Sequence, residues 1–282
     1  MSGSLPPVVD FYSRHPISEG QIVDALQRQG KDLKRLAPED LYDLDQDHYG
    51  GLEAVEALAR RAGIDASSRV LDVCAGLAGP ARFLARRWGA RVTGIDLNPD
   101  RVAGARRLSA AVGLSGLVRM IRGDAQKLPF RARAFTAVVS QEGLLHVPDK
   151  AAALAECWRV LLPGGRMAFS DWIATGRLGD GERRRLDEWM AAVTLQTIDG
   201  YRSLLARAGF VAIGVEDLSV EWVAVLRRRL EMFKALRGDT VARLGQTRYD
   251  EYEQLYAFFV GLVEAGKLGG GRFSATAGPG TS

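Results

Sequence analysis

Two cysteines and three histidines in 282 residues leave little material for metal or disulfide chemistry. Cys74 and Cys157 cannot build a disulfide framework, and neither stands at metal-site spacing from a second cysteine or histidine. No metal is expected. Long apolar runs are also missing: no stretch reaches the roughly 20 residues that span a bilayer, so no membrane partner is expected. The opening MSGSLPPVVDFYSRHP has no positive flank followed by an apolar core, so it does not read as a secretory signal and a cytoplasmic location is expected. Charge of one sign is not concentrated either. The net charge is only +4, and its cations are nearly all arginines in scattered pairs and triplets, such as Arg60–Arg61, Arg86–Arg87 and Arg227–Arg229. Nucleic-acid binders gather such charge into a patch with interleaved aromatics. No nucleic-acid partner is expected.

What is present is an ordinary globular balance, 47% hydrophobic and 26% charged, in a chain long enough to bury a large core. Residues 1–17, punctuated by Pro6, Pro7 and Pro16, read as irregular. Ser18 is placed to cap a helix running to about Gln29, and Pro38 to Tyr42 reads as a short helical turn. The polar stretch DLDQDHYGG precedes a helix over 52–62. From there strands alternate with helices: RVLDV, RVTGIDL, LVRMIRGD, FTAVVSQ and PGGRMAFSDWI are the strands, and helices separate most of them. That rhythm predicts a parallel sheet covered on both faces. Helices are expected over 183–197, 198–208, 220–236 and 249–262, with strands at GFVAIGVEDLS and GGGRFSATA. Helices between the fifth and sixth strands would cover the carboxyl edge of the sheet, where doubly wound folds bind ligands.

The chemistry concentrates in VLDVCAGLAGPARFLARRWGARVTGIDLNPD. Gly76 and Gly79 let a ligand approach the backbone, since glycine has no Cβ. Asp96 ends the second strand 20 residues after Gly76, where a carboxylate accepts from ribose hydroxyls. Read literally, CAGLAG is a dinucleotide loop whose first glycine is Cys74, which leaves an NAD(P)-dependent oxidoreductase open. Asp72 argues against it, because an acid there would repel a pyrophosphate and suit an ammonium. Asp124, which ends the third strand, is placed to meet an adenine amino group.

At these residues the chain resembles the class I S-adenosylmethionine-dependent methyltransferases. VLDVCAGLAG resembles their first motif, with Cys74 and Ala78 in place of glycines. GIDLNP, GDAQKLPF, AVVSQEGLLHVPDK and ECWRVLLPGG follow in the family's order. The looser cues HYGGLEA and GYRSLLARAGF resemble the small-molecule branch: glycine, sarcosine and dimethylglycine N-methyltransferases, phosphoethanolamine methyltransferases, and sterol or tocopherol C-methyltransferases. The resemblance implies an α/β fold, a doubly wound seven-stranded Rossmann-like sheet with an N-terminal helical segment and a helical cap insertion. It implies an N-terminal lid over 1–50, a cofactor-binding core over 51–178, cap elements and last strands over 179–276, and a loose tail over 277–282. The implied cofactor is S-adenosyl-L-methionine, held by Asp72, Cys74, Ala75, Gly76, Gly79, Asp96, Leu97, Asp124, Ala125 and Gln141. The implied partner is a small-molecule acceptor, in a monomer or homodimer.

Methyl transfer from a sulfonium is an in-line displacement, and a base is needed only where the acceptor arrives protonated. His146, just past the fourth strand, is the candidate base, since imidazole exchanges protons near neutrality. In the phosphoethanolamine enzymes that histidine pairs with an N-terminal tyrosine, which implies Tyr49 or Tyr12 here. Tyr12, Gln46, His48, Glu142 and Trp172 are the candidate acceptor contacts, Glu142 as an ammonium receptor and Trp172 as a cation–π wall. A small amine is the favoured acceptor, with carbon, oxygen and sulfur open.

Overall fold

Continuous apolar character in the middle of the chain becomes strand, as a sheet buried on both faces requires. The computed structural model describes residues 7–13 and 17–279. Its sheet has seven strands: β1 (Arg69–Val73), β2 (Arg91–Asp96), β3 (Val118–Arg122), β4 (Phe135–Gln141), β5 (Leu161–Ala174), β6 (Phe210–Asp217) and β7 (Leu268–Ala277). Their order is β3-β2-β1-β4-β5-β7-β6. The first five run parallel, and β7 lies antiparallel between β5 and β6. The chain winds outward from β1 to β3, then returns to β4 on the other side of β1. The crevice outside the carboxyl ends of β1 and β4 is thus the switch point where such sheets take ligands.

Alternation along each strand divides the core. Val70, Val92, Val118 and Val139 pack on one face with helices α3 (Gly51–Ala62), α4 (Gly79–Trp88) and α5 (Pro99–Ala111). Leu71, Ile95, Val138 and Phe169 face the other way, toward α6 (Lys150–Val160) and α8 (Ile198–Arg207). Neighbouring residues such as Val138 and Val139 thereby serve opposite layers. Helix ends follow their sequence signals: Asn98 caps α5, with Pro99 in its first turn, and Gly63 closes α3 in the left-handed conformation.

Three elements differ from expectation. Residues 7–13 form a helix, α1 (Pro7–Ser13), rather than irregular chain. Pro7 stands in the first turn, where a missing N–H costs nothing. Pro6 and Pro16 lie outside the described residues, as do 280–282 of the expected tail. The helix expected over 183–197 ends at Met190 as α7 (Asp180–Met190), because Ala191 turns left-handed at φ 50°. The cap lies largely between β6 and β7, not only after β5. It comprises α9 (Ser219–Ala235), the unanticipated α10 (Arg237–Leu244) and α11 (Gln246–Glu264). Its apolar faces share a third cluster with Trp172 and Tyr49.

The polar loop before α3 is anchored by a fully buried ion pair. Arg82 of α4 donates to the Asp45 carboxylate at 2.8 Å and also to Ser109 Oγ at 3.2 Å. Gly79 permits this approach, because a Cβ there would lie 2.2 Å from the Asp45 carbonyl oxygen. Helix α2 (Glu19–Arg28), capped by Ser18 onto the Gln21 amide, seats Ile22 and Leu26 in the first core layer.

Candidate active site

A cavity of about 350 Å³ opens at the switch point. All ten residues expected to hold a cofactor line it: Asp72, Cys74, Ala75, Gly76, Gly79, Asp96, Leu97, Asp124, Ala125 and Gln141. The loop after β1 folds back on β2 through an Ala75 N–H to Ile95 carbonyl bond of 3.0 Å. One Asp96 oxygen accepts from the Gly76 amide at 2.8 Å, and the other accepts from the Asn98 amide at 2.9 Å. These bonds fix the carboxylate and leave a lone pair on each oxygen for a vicinal diol. Asp124 is held by the Gln126 amide at 2.8 Å.

The two departures from the glycine motif keep the motif's backbone. Cys74 and Ala78 have φ of 58° and 62°, the left-handed region that normally selects glycine at a cost of roughly 1–2 kcal/mol for other residues. The neighbourhood has adapted: a Cβ on Gly143 would lie 2.4 Å from the Cys74 Cβ, so glycine at 143 makes room for the thiol. Burial pushes the Cys74 thiol well above its usual range, which leaves it inert as a nucleophile. Cys74→Gly is therefore expected to leave S-adenosylhomocysteine affinity within about twofold, since strain relief and lost packing nearly offset. A tenfold change in calorimetry would mean that the thiol itself grips the ligand.

Asp72 carries the clearest sign of a missing partner. Its Oδ2 is buried without a hydrogen bond, beside the cavity. Burial, with repulsion from Asp96, pushes its carboxyl up to about 8. An ammonium arriving there would satisfy the orphaned oxygen and ionise the acid. A carboxyl whose folded value exceeds the unfolded one, about 4, costs stability as pH rises between the two values. Asp72→Asn should thus raise the Tm of ligand-free protein more at pH 8 than at pH 5.5. Calorimetry at pH 7 should show close to one proton released per S-adenosylhomocysteine bound by the wild type, lost in the variant. Equal Tm shifts at both pH values, with unchanged proton release, would contradict the assignment.

On the acceptor side, His146 sits in a short 3-10 turn, Leu144–His146, directly after β4. Its Nδ1 lies 2.8 Å from the Ala191 carbonyl, which can only accept, so Nδ1 carries the hydrogen. Nε2 is then the lone-pair nitrogen, and it accepts from the Tyr12 hydroxyl at 3.0 Å. Burial holds that hydroxyl far above the usual phenol range, so Tyr12 remains a donor. Both residues line the cavity. Glu142 lines it too, at φ 50°, with its carboxylate accepting from the Tyr49 amide at 2.9 Å. Burial pushes Glu142 up to about 8. His48 faces the cavity but is locked. Its Nδ1 receives the Gln141 amide at 3.2 Å, and its Nε2 is 2.9 Å from Gln46 Oε1. Burial, with repulsion from Arg229, drops it to about 4, so it stays neutral.

Three expected contacts are corrected. Tyr49 does not reach His146. Its ring packs 4.9 Å from Trp222 and 6.2 Å from Phe259 in the third cluster, burying apolar area that a polar cavity would waste, and only its backbone serves the site. Trp172 stacks on Phe259 at 4.0 Å beneath the cap and does not line the cavity. Gln46 bonds to Asp45 and His48 rather than facing the cavity. Arg101 and Asp47 went unanticipated. The Arg101 guanidinium lies 4.3 Å from the Tyr12 ring centroid and bonds to Asp47 at 3.2 Å and to the Ile17 carbonyl at 3.0 Å. In the sequence it is one more helix arginine, with no local signal that it turns inward. Among the described residues no group of three or more His, Cys, Asp or Glu side chains could hold a metal ion, and no helix is long and apolar enough to cross a membrane.

A switch-point cavity with a carboxylate anchored by two backbone amides and a second, unpaired buried acid suits an adenosine ligand with a cationic amino-acid tail. The methyltransferase domain family matches residues 71–169. The chain is 32% identical over 221 residues to Methyltransferase GfsG of Streptomyces halstedii, covering 72% of this chain and 80% of that protein. It is 31% identical over 192 residues to the glycine/sarcosine/dimethylglycine N-methyltransferase of Actinopolyspora halophila, covering 68% of this chain but 34% of that one. Among solved structures, Haemonchus contortus phosphoethanolamine N-methyltransferase 2, in complex with phosphomonomethylethanolamine and S-adenosylhomocysteine, shares the fold. Its TM-score is 0.77 at 19% identity, covering 98% of this chain and 61% of that chain. The chain belongs to the class I S-adenosylmethionine-dependent methyltransferases. The oxidoreductase reading falls with that finding.

Proposed function

We propose that the chain transfers a methyl group from S-adenosylmethionine to the nitrogen of a small amine, with His146 as the general base. The observation that carries this reading is the Nδ1 contact with the Ala191 carbonyl, which puts the Nε2 lone pair, met by the Tyr12 hydroxyl, at the cavity. S-adenosylmethionine supplies an already activated methyl group. The chain's part is to strip a proton from the acceptor, orient it and exclude water. His146 Nε2 accepts that proton while the Ala191 carbonyl stabilises the imidazolium. Tyr12 gives up its bond to Nε2 as the acceptor enters. Glu142 receives the ammonium form of the acceptor, the ion pair offsetting the burial that otherwise keeps its carboxyl protonated. Asp72 holds the donor's ammonium, Asp96 its ribose, and Asp124 its adenine side. The names of the glycine/sarcosine/dimethylglycine and phosphoethanolamine relatives agree with a nitrogen acceptor.

The test is a screen of amines and cell extracts with labelled donor, followed by mass analysis of the product. A product whose amine has gained the label supports the reading. Label on oxygen, carbon or sulfur would overturn the nitrogen acceptor while leaving the enzyme class intact.

A further inference from the structure

We propose that Lys150 and Thr194 are positioning residues that set the orientation and tautomer of His146, by clamping its turn onto the segment that supplies the Ala191 carbonyl. Lys150 opens α6 yet is only 4% exposed, which is unusual for a lysine. Its ammonium spends all three donors inside the protein, on the Leu144 carbonyl, the Thr194 carbonyl and Thr194 Oγ1. Thr194 completes the clamp: its amide donates to the Leu145 carbonyl at 3.2 Å, and its hydroxyl donates to the Val147 carbonyl at 2.6 Å. The carbonyls of Leu144, Leu145 and Val147, on either side of His146, are thus each bound by one of these two residues.

The same segment that holds the turn also holds the ring. Ala191 stands three residues before Thr194, in the left-handed conformation that ends α7, and its carbonyl takes the His146 Nδ1–H. Displacing 191–194 from the turn would release Nδ1 and allow the hydrogen to move to Nε2, which would remove the lone pair from the cavity. Asp171, bonded to the Tyr201 hydroxyl, supplies the opposite charge near Lys150, and the Tyr201 ring lies 6.0 Å from the ammonium. Neither Lys150 nor Thr194 lines the cavity, so both act through His146. Apolar packing alone would seat this turn without an ion; a saturated ammonium at its base fixes its register directionally, as hydrogen bonds to a charged donor do.

This inference rests on His146 as the base, but its test does not need the acceptor. Nitrogen-15 NMR of full-length protein with S-adenosylhomocysteine reads the imidazole tautomer, and three histidines make assignment practicable. Wild type should show His146 protonated on Nδ1 only. Lys150→Met and Thr194→Val should show a mixed or Nε2-protonated ring, with S-adenosylhomocysteine affinity within about twofold of wild type. Thr194→Ser, which keeps the hydroxyl, should restore the wild-type signal, and it keeps the question answerable if Lys150→Met does not fold. An unchanged tautomer in Thr194→Val would overturn the clamp. Failure of the base itself would appear separately, as full methyl transfer by His146→Ala while Lys150→Met and Thr194→Val still shift the His146 tautomer.

Discussion

His146→Ala is expected to lower methyl transfer to an amine acceptor by roughly 10²–10⁴-fold while S-adenosylhomocysteine binding stays within about twofold of wild type. The separation follows from the geometry. The ring bonds to Ala191 and Tyr12, whereas Asp96 and Asp72, the residues proposed to hold the ribose and the ammonium, come from the ends of β2 and β1. Tyr12→Phe should cost less, about tenfold, because the hydroxyl only holds Nε2 in place until the acceptor enters and itself stays protonated. Wild-type turnover in His146→Ala would remove that residue as the base of the reaction.

Asp45→Ala carries the largest expected effect on stability, about 3–5 kcal/mol. Arg82 and Asp45 side chains are each 1% exposed. Removing the carboxylate strands the guanidinium in the core with only Ser109 and the Ala105 carbonyl as partners. At about 2–4 °C per kcal/mol for a chain of this size, Tm should fall by roughly 6–20 °C in calorimetry. The effect should reach the site as well, because the Asp45 loop leads through Asp47 and His48 into the cavity wall. Asp45→Asn, which keeps one acceptor, should recover part of the loss. A Tm within 2 °C of wild type for Asp45→Ala would mean that the pair merely offsets its own desolvation cost.

The donor side of the site was legible because it is local. A strand, a tight loop and a helix place Asp72, Gly76 and Asp96 by backbone geometry within 25 residues, and the motif order carried Asp124 and Gln141 with them. Even the two missing glycines left the loop's form unchanged, since Cys74 and Ala78 accept the left-handed backbone that glycine would have taken freely. The acceptor side was less legible because it is assembled from afar. Choosing between Tyr12 and Tyr49 meant knowing which ring faces the cavity. Tyr49 had the better local context, beside a polar run, yet it belongs to the cap's apolar cluster. Tyr12 comes from a segment read as irregular and reaches His146 across 134 residues of sequence. Gln46 and Trp172 missed the cavity for the same reason.

The sequence by itself determined the fold class and the seven strands and, through its resemblance to a known family, the cofactor and ten residues that line the cavity. Hydrophobic period and loop chemistry act over a few residues and need no partner to be read. Only the tertiary structure decided that the cap lies mainly between β6 and β7, and that Tyr12 is the partner of His146. It also decided which apparently ordinary cations are internal: Arg82 pairs with Asp45, Arg101 lies over Tyr12, and Lys150 lies under the His146 turn. A charged side chain's burial depends on whether distant carbonyls and carboxylates converge to satisfy it. That convergence is a property of packing between elements, which no local stretch of sequence contains.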